Sequence, residues 1–583
     1  MYVAWAAPSV SFASPMPIYS NRVTRNTIRT AIRAALAGGI GLLVMSQTAI
    51  AQSESSVAGA RGGIPAGFEL DNYVRYLQTL GKVPLGAWGL RPFSAPEVDS
   101  LSKISGAHPW QRSWLFESDS AHHFSVLPPT ASTEFNSAFP WGSNDGAVWA
   151  GRGLTTSVQG GIAIAWGPAT LVVNPIVFRA ENTSFTLVPN GHTGNARFAD
   201  PNFPGTIDLP QRFGNGAYSR FDWGQTTLRV DAFGISAGMS TANQYWGPAT
   251  TYPIILGNNA AGIPNLFLST ERPTDIWVAK VQARVEYGLE SQSNFSPVVG
   301  SDTFVDLSHP GTKRFMSGLV VTFSPSAIPA LELGAARFFH QAWRGRVGSN
   351  ELRSPFEGIL KNSLPAGAEL SGAGNIDAQK NQLATLFGRW VLPKSGFEMY
   401  AEYGHEDHNA DLRDLESEPD HSRIAMVGFR KVFLETGTTF SAIRGEYIDA
   451  TDPTLARHRD EGGVYIHTVL RQGHTEYGQL LGAAAGIGSF AGAIIAWDHF
   501  GPDGRTTLFV QRNVANDGTT LLTSGVPDYA AAQLSGTMGY ERVRLRTKFD
   551  FTYGASLTDA KRAESVPRSL NLNVVVKFTP HSW

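Results

Sequence analysis

Between residues 277 and 290 apolar and polar side chains alternate. Val281, Ala283, Val285, Tyr287 and Leu289 fall on one face of an extended strand, and Lys280, Gln282, Arg284, Glu286 and Glu290 on the other. The pattern recurs at Phe233, Ile235, Ala237 and Met239, here with glycine and serine between. It recurs where Val543, Leu545, Thr547, Phe549 and Phe551 are set against Arg542, Arg544, Arg546, Lys548 and Asp550. It closes the chain at Leu570, Leu572, Val574, Val576 and Phe578. Strands of roughly 9–11 residues cross a bilayer at a tilt. One-faced strands in this number predict an all-β transmembrane barrel, apolar faces to lipid and polar faces to the lumen.

The first hairpin is expected at 155–166 and 169–179, around the turn Trp166-Gly167-Pro168. Pro175 would remove a ladder hydrogen bond, so a bulge or strand end is expected there. A second hairpin pairs 315–323 with 331–338. Further strands are expected at 381–391, 397–403, 424–433, 439–447, 464–470, 477–486, 490–497 and 507–512. About 430 residues follow the N-terminal region, and at roughly two dozen per strand and connection they hold about 18 antiparallel strands, an even number as bacterial barrels favour. The connections 182–215, 341–379, 404–421 and 514–529 exceed periplasmic turns and are expected outside or folded into the lumen.

Residues 52–145 read differently. Leu70, Tyr73, Val74, Leu77 and Leu80 follow helical spacing with Gly81 as a cap. Ser94-Ala95-Pro96-Glu97 is a capping box ahead of the stripe Val98, Leu101 and Ile104. This is expected to be a small α-helical periplasmic domain packed on the barrel rim, with the barrel at 146–583. Before it, Arg22, Arg25, Arg29 and Arg33 precede an apolar stretch ending in Ala49-Ile50-Ala51, the pattern of a signal peptide spanning 1–51; Met16 is an alternative start. An exported chain with many one-faced strands is expected in a bacterial outer membrane.

Composition fits that placement. Only 16% of the 583 residues are charged, against about 25% in soluble domains, while 61 Gly, 33 Phe, 14 Trp and 16 Tyr suit turns and interfacial aromatic girdles. A net charge of −2 offers no case for nucleic acid, and the absence of cysteine excludes disulfides and thiolate chemistry.

Candidate chemistry is sparse. Arg542, Arg544, Arg546 and Lys548 would face the lumen if the apolar face meets lipid. There they either pair with carboxylates such as Glu286, Glu290 and Glu332 or form a wall for an anionic glycan. His405-Glu406-Asp407-His408 lacks zinc-protease spacing. The calcium register of Asp407, Asn409, Asp411 and Glu418 has Leu412 where glycine is needed, so a solvated acidic loop is expected and no metal or cofactor. No nucleophile elbow, phosphate loop or dinucleotide fingerprint occurs, although a dispersed carboxylate pair for glycoside cleavage stays open. Trp149, Tyr245 and Trp246 read as interface-belt or rim residues ahead of sugar platforms.

Three stretches carry a family resemblance: Trp88 to Ser94; Phe139 to Gly153, with Asn144, Asp145, Trp149 and Arg152; and Asn243 to Pro264, with Trp246, Asn258 and Asn259. Together they resemble the capsule-assembly Wzi family. The resemblance implies an 18-stranded barrel with a helical periplasmic bundle, acting as a lectin that holds capsular or other surface polysaccharide, with outer-membrane lipids and lipopolysaccharide around it. A charged-lumen porin and a glycan hydrolase are the competing classes.

Overall fold

The computed structural model describes residues 63–580 except 95, 99–121, 296–312, 344, 358–379, 407–415, 417–419, 421, 438, 452–462, 468–469, 516–532 and 547. The expected signal peptide, Leu101, Ile104 and most of the acidic loop lie outside the described residues. No described helix is long and apolar enough to cross a membrane. The wall is a closed antiparallel barrel of 18 strands.

In chain order the strands are β1 (His122–Asn136), β2 (Gly153–Trp166), β3 (Ala169–Val173 and Ile176–Ala180), β4 (Tyr218–Asp222 and Thr227–Ala232), β5 (Ile235–Ser240) and β6 (Asn265–Thr270 and Thr274–Asp275). They continue as β7 (Ala279–Ser291), β8 (Lys313–Pro325), β9 (Leu331–Ala342), β10 (Lys380–Leu392), β11 (Phe397–Glu406) and β12 (Arg423–Thr436). The last six are β13 (Thr439–Ala450), β14 (Phe490–Gly501), β15 (Gly504–Ala515), β16 (Gln533–Leu545), β17 (Phe549–Lys561) and β18 (Ser569–Pro580). Each pairs with the next, and β18 closes on β1 from Ala131 opposite Phe578 to Asn136 opposite Asn573. The break in β3 falls at Asn174 and Pro175, where the ladder loses a donor. In β7, Gln282, Arg284, Glu286 and Glu290 are buried in the lumen; Leu266 and Leu268 on neighbouring β6, and Leu386 on β10, are exposed outward.

Short turns gather at one end: Trp166 to Ala169, Ala232 to Ile235, Leu392 to Phe397 and Gly501 to Gly504. Helix α1 (Glu69–Thr79) sits at that end, clustered with Val432, Phe440, Phe500, Val543 and Leu545 of the wall. In outer-membrane barrels the short turns mark the periplasmic end. Connections of 16 residues or more leave the other, extracellular end; among the described residues 137–152, 241–264 and 463–489 fold back into the lumen, and Ile207 of the 181–217 connection joins their core.

Four expectations change. The barrel starts before residue 146, because 122–136 is its first strand; Pro128 and Pro129 make a register shift there that hides the alternation. The segments 464–470 and 477–486 are not wall strands. Their apolar residues, including Val464, Tyr465, Leu470, Leu480 and Leu481, are buried inside the barrel, with only a two-residue ribbon, Thr475–Glu476 on Gln479–Leu480. Helix α1 does not rest on the rim but is sunk into the mouth. Its apolar stripe meets the wall, while Asp71, Arg75, Gln78 and Thr79 are buried as well. The run 542–550 is two strands, since β16 ends at Leu545 and β17 begins at Phe549.

Ser94 and Glu97 realise half of the capping box. The Ser94 N–H donates to Glu97 Oε2 at 2.7 Å, but the hydroxyl also donates to that carboxylate instead of accepting from the helix. Burial pushes the Glu97 carboxyl up.

Candidate functional site

The lumen is filled by a mostly apolar core. Trp246, Tyr252, Ile254, Ile255 and Leu256 of the second inward segment pack on Met316, Phe338 and Leu383 of the wall and on Tyr465 of the third. Gly318 is needed for this: any Cβ there would collide with the Trp246 ring. Polar wall residues anchor the backbone of the inward segments and of the N-terminal region. Glu446 accepts the N–H groups of Thr250, Thr251 and Tyr252 at 2.6, 2.7 and 3.0 Å. Glu332 accepts those of Trp88 and Gly89, both at 2.7 Å. The third segment is held through His474, whose Nε2–H donates to Ile255 O at 2.6 Å while Nδ1 lies 2.8 Å from His340 Nε2. Burial holds the His474 imidazole down at about 3, so it stays neutral.

Two cavities stand out among the described residues. The larger, about 1650 Å³, opens between α1 and the wall of β1–β5 and β15–β18, and is lined by both signs of charge, among them Glu69, Arg229, Asp231, Arg505, Glu541 and Lys577. The smaller, about 390 Å³, lies toward the extracellular end and is lined by Phe139, Trp141, Trp149, Asp200, Lys561 and Arg562. Both touch Trp141, Gly142, Ser143, Asp145 and Val148, so this short stretch is a septum between them.

The septum is tied on every side. Asn144 stands at φ 57°, a conformation asparagine tolerates. Its N–H donates to Asn259 Oδ1 at 3.3 Å, and its carbonyl accepts from Asn258 Nδ2 at 2.9 Å. The Tyr245 hydroxyl donates to Asn144 Oδ1 at 3.1 Å, and the Gly146 N–H to Asn258 O at 2.8 Å. Asn259 Nδ2 reaches Leu480 O at 3.2 Å, and Gln479 Nε2 reaches Val148 O at 3.2 Å. Three inward segments are thereby knotted at one level. Burial pushes the Asp145 carboxyl up, opposed by the Lys577 ammonium.

Above the septum the cleft has the parts a sugar site needs: flat rings for apolar pyranose faces, and amides and cations for hydroxyls and acids. Trp149 is half-buried, 4.8 Å from the Phe213 ring and 6.1 Å from Tyr218. Phe139 and Trp141 stand nearly perpendicular at 6.3 Å. The Arg562 guanidinium lies over Phe139 and Phe185, at 5.3 and 5.4 Å, and donates to Thr186 O at 2.7 Å. Asp200, buried, is pushed up to about 6 even though the amides of Asn202 and Phe203 stabilise its charge.

The sequence-derived candidates separate into three groups. Asn144, Asp145, Asn258 and Asn259 build or border the septum, and Trp149 lines the cleft. Arg152 binds the carbonyls of Ser137 and Ser184 beside it. Tyr245 and Trp246 are neither membrane belt nor sugar platform, being 2% and 0% exposed inside the lumen. The basic ladder is misplaced by the alternation argument. Val543 and Leu545 face inward onto α1, so Arg542 and Arg544 face outward near the periplasmic end, and Arg546 and Lys548 are exposed in the turn. Polarity inverts there because α1 packs on that stretch of the wall and makes its inner face apolar. The four cations therefore lie away from the cleft; of them, Arg546 at the turn borders the larger cavity. Arg562 and Asp200 were missed, having no local signal. Among the described residues no group of three or more His, Asp or Glu is placed to hold a metal ion.

The capsule assembly protein Wzi family model matches residues 130–580. Among solved structures, the chain is similar to Wzi of Escherichia coli, described as an outer-membrane carbohydrate-binding β-barrel involved in group 1 capsule assembly. The identity is 15%, the TM-score 0.58, and the match covers 88% of this chain and 99% of that one. Acinetobacter baumannii OccAB2 and Pseudomonas aeruginosa OprD match at 7% identity with TM-scores of 0.38 and 0.37, each over 78% of this chain and over 97% and 93% of theirs. No curated sequence matches the chain. With a family match across most of its length and a closed 18-stranded wall, the chain belongs to the capsule assembly Wzi family and is a bacterial outer-membrane β-barrel.

Proposed function

We propose that this protein is a non-enzymatic lectin of the outer membrane that holds capsular or related surface polysaccharide, with the extracellular cleft around Trp149, Trp141, Phe139 and Arg562 as its site. The observation that carries this reading is the septum: lying between the cleft and the cavity beneath, above a packed lumenal core, it favours an aromatic-lined binding pocket over a channel. The carbohydrate binding described for the Escherichia coli relative supports the same reading. The septum favours binding over the porin alternative, and the wall is expected to sit among outer-membrane lipids with lipopolysaccharide around its extracellular end.

Two measurements test it. A deletion strain should shed polysaccharide that the parent keeps cell-bound. Purified protein should bind oligosaccharide from that polysaccharide with quenching of tryptophan fluorescence, without releasing cleavage products. Trp149→Ala with Arg562→Ala should weaken binding about tenfold or more, the loss usual when a central aromatic and arginine are truncated. Unchanged affinity in a well-assembled double variant would remove the cleft from the site, and unchanged retention in the deletion strain would sink the function.

A further inference from the structure

Arg542 and Arg544 stand two residues apart on the outward face of β16, beside the periplasmic turn. At about 3.4 Å per residue they are separated by about 7 Å along the strand. In register, Arg542 faces Thr506 of β15 and Tyr553 of β17, and Arg544 faces Gly504 and Phe551. Arg542 Nη1 donates to Thr506 Oγ1. Tyr553 stands opposite Arg542 and beside Tyr540, the two tyrosine rings lying 6.1 Å apart. Phe551 is 5.7 Å from Tyr553, and Phe549 is 5.6 Å from Phe578.

Among the described residues, neither guanidinium has a carboxylate partner. Glu541 points the other way, into the lumen, where Arg505 donates to it at 2.5 Å. Asp503 lies 3.8 Å from Arg546, one turn position beyond. Two cations without a protein counter-ion therefore face the bilayer within one hairpin of its edge, ringed by aromatics that belong at an interface. Lipid phosphate is the anion available at that depth, and a guanidinium fork matches its oxygens where an ammonium would not.

We infer that Arg542 and Arg544, with the hydroxyls of Tyr540 and Tyr553, form a binding site for the phosphate of a glycerophospholipid in the periplasmic leaflet. The site's position at the α1 end selects that source over lipid A, whose phosphates lie at the extracellular end. It rests on the barrel's membrane placement and is independent of glycan binding, so either can fail without the other.

The test is native mass spectrometry of protein released from nanodiscs of phosphatidylethanolamine and phosphatidylglycerol, with a parallel arm containing lipid A. Wild type should retain phospholipid. R542Q with R544Q should retain about tenfold less, as expected for losing charged hydrogen bonds. Should the double variant assemble poorly, R544K alone, which keeps the charge but not the fork, should fall in between. Arg568→Gln, at the extracellular end beside Asp559, should retain lipid as wild type does. Equal retention in wild type and the arginine variants, or retention of lipid A in place of phospholipid, overturns the proposal.

Discussion

Arg75 is 1% exposed, with Nε and Nη2 on Glu398 Oε1 at 2.8 and 2.5 Å, Nη1 on Thr250 Oγ1 at 3.0 Å, and its plane 4.6 Å from the Tyr400 ring. One side chain thus joins α1 to the wall and to the second inward segment. Arg389 also reaches Glu398, at 3.1 Å, so the carboxylate has two cations. Removing one partner of a buried pair costs about 3–5 kcal/mol, because the other is left desolvated; the second arginine should hold Arg75→Ala near the lower figure. Combining Arg75→Met with Glu398→Gln should recover part of that loss, since little uncompensated charge then remains. Urea midpoints for protease access to α1, compared across single and double variants, read the difference. A double variant weaker than the sum of both singles would show that packing, not charge, governs the site.

At the scale of elements, the loop between β3 and β4 gives a pH prediction. Asp200 is held at about 6, above the roughly 3.9 of a free aspartate, so the folded loop binds its proton more tightly than the unfolded chain. That stabilising contribution is full below about pH 4 and is lost as pH rises through 6. Hydrogen exchange of residues 182–216, corrected for intrinsic rates, should show protection falling across that window, and Asp200→Asn should flatten it. The same slope in the variant would place the titration elsewhere. Elements also show what could be read in advance. Strand β7 was legible because one face meets lipid and the other meets polar residues. Strand β1 was not, since Pro128 and Pro129 interrupt its period. The third inward segment imitated a wall strand because its apolar residues serve a core inside the barrel, and alternation cannot say which side is dry. For the same reason Arg542 and Arg544 were assigned to the wrong face. Trp149 was legible only through a motif shared with a family, while Arg562 and Asp200 reach the cleft through tertiary folding that no local pattern records.

For the whole molecule, the filled lumen changes what holds it together. A water-filled barrel relies on its hydrogen-bonded wall, whose apolar face never leaves lipid or detergent. Here Trp246, Ile254, Leu256, Phe338, Leu383 and Tyr465 are packed inside as in a soluble protein, so docking of the inward segments removes apolar surface from water. That term carries a heat capacity: it is largely entropic near room temperature, weakens on cooling and is eroded by urea. Denaturation should accordingly split in two. In calorimetry, a first transition with a positive heat-capacity change should empty the lumen while the far-ultraviolet β signal persists, and a second should open the wall. A single transition common to both signals would mean that contents and wall are one cooperative unit. Between the two transitions the septum is gone and the protein is a pipe, one that leaks more readily when chilled.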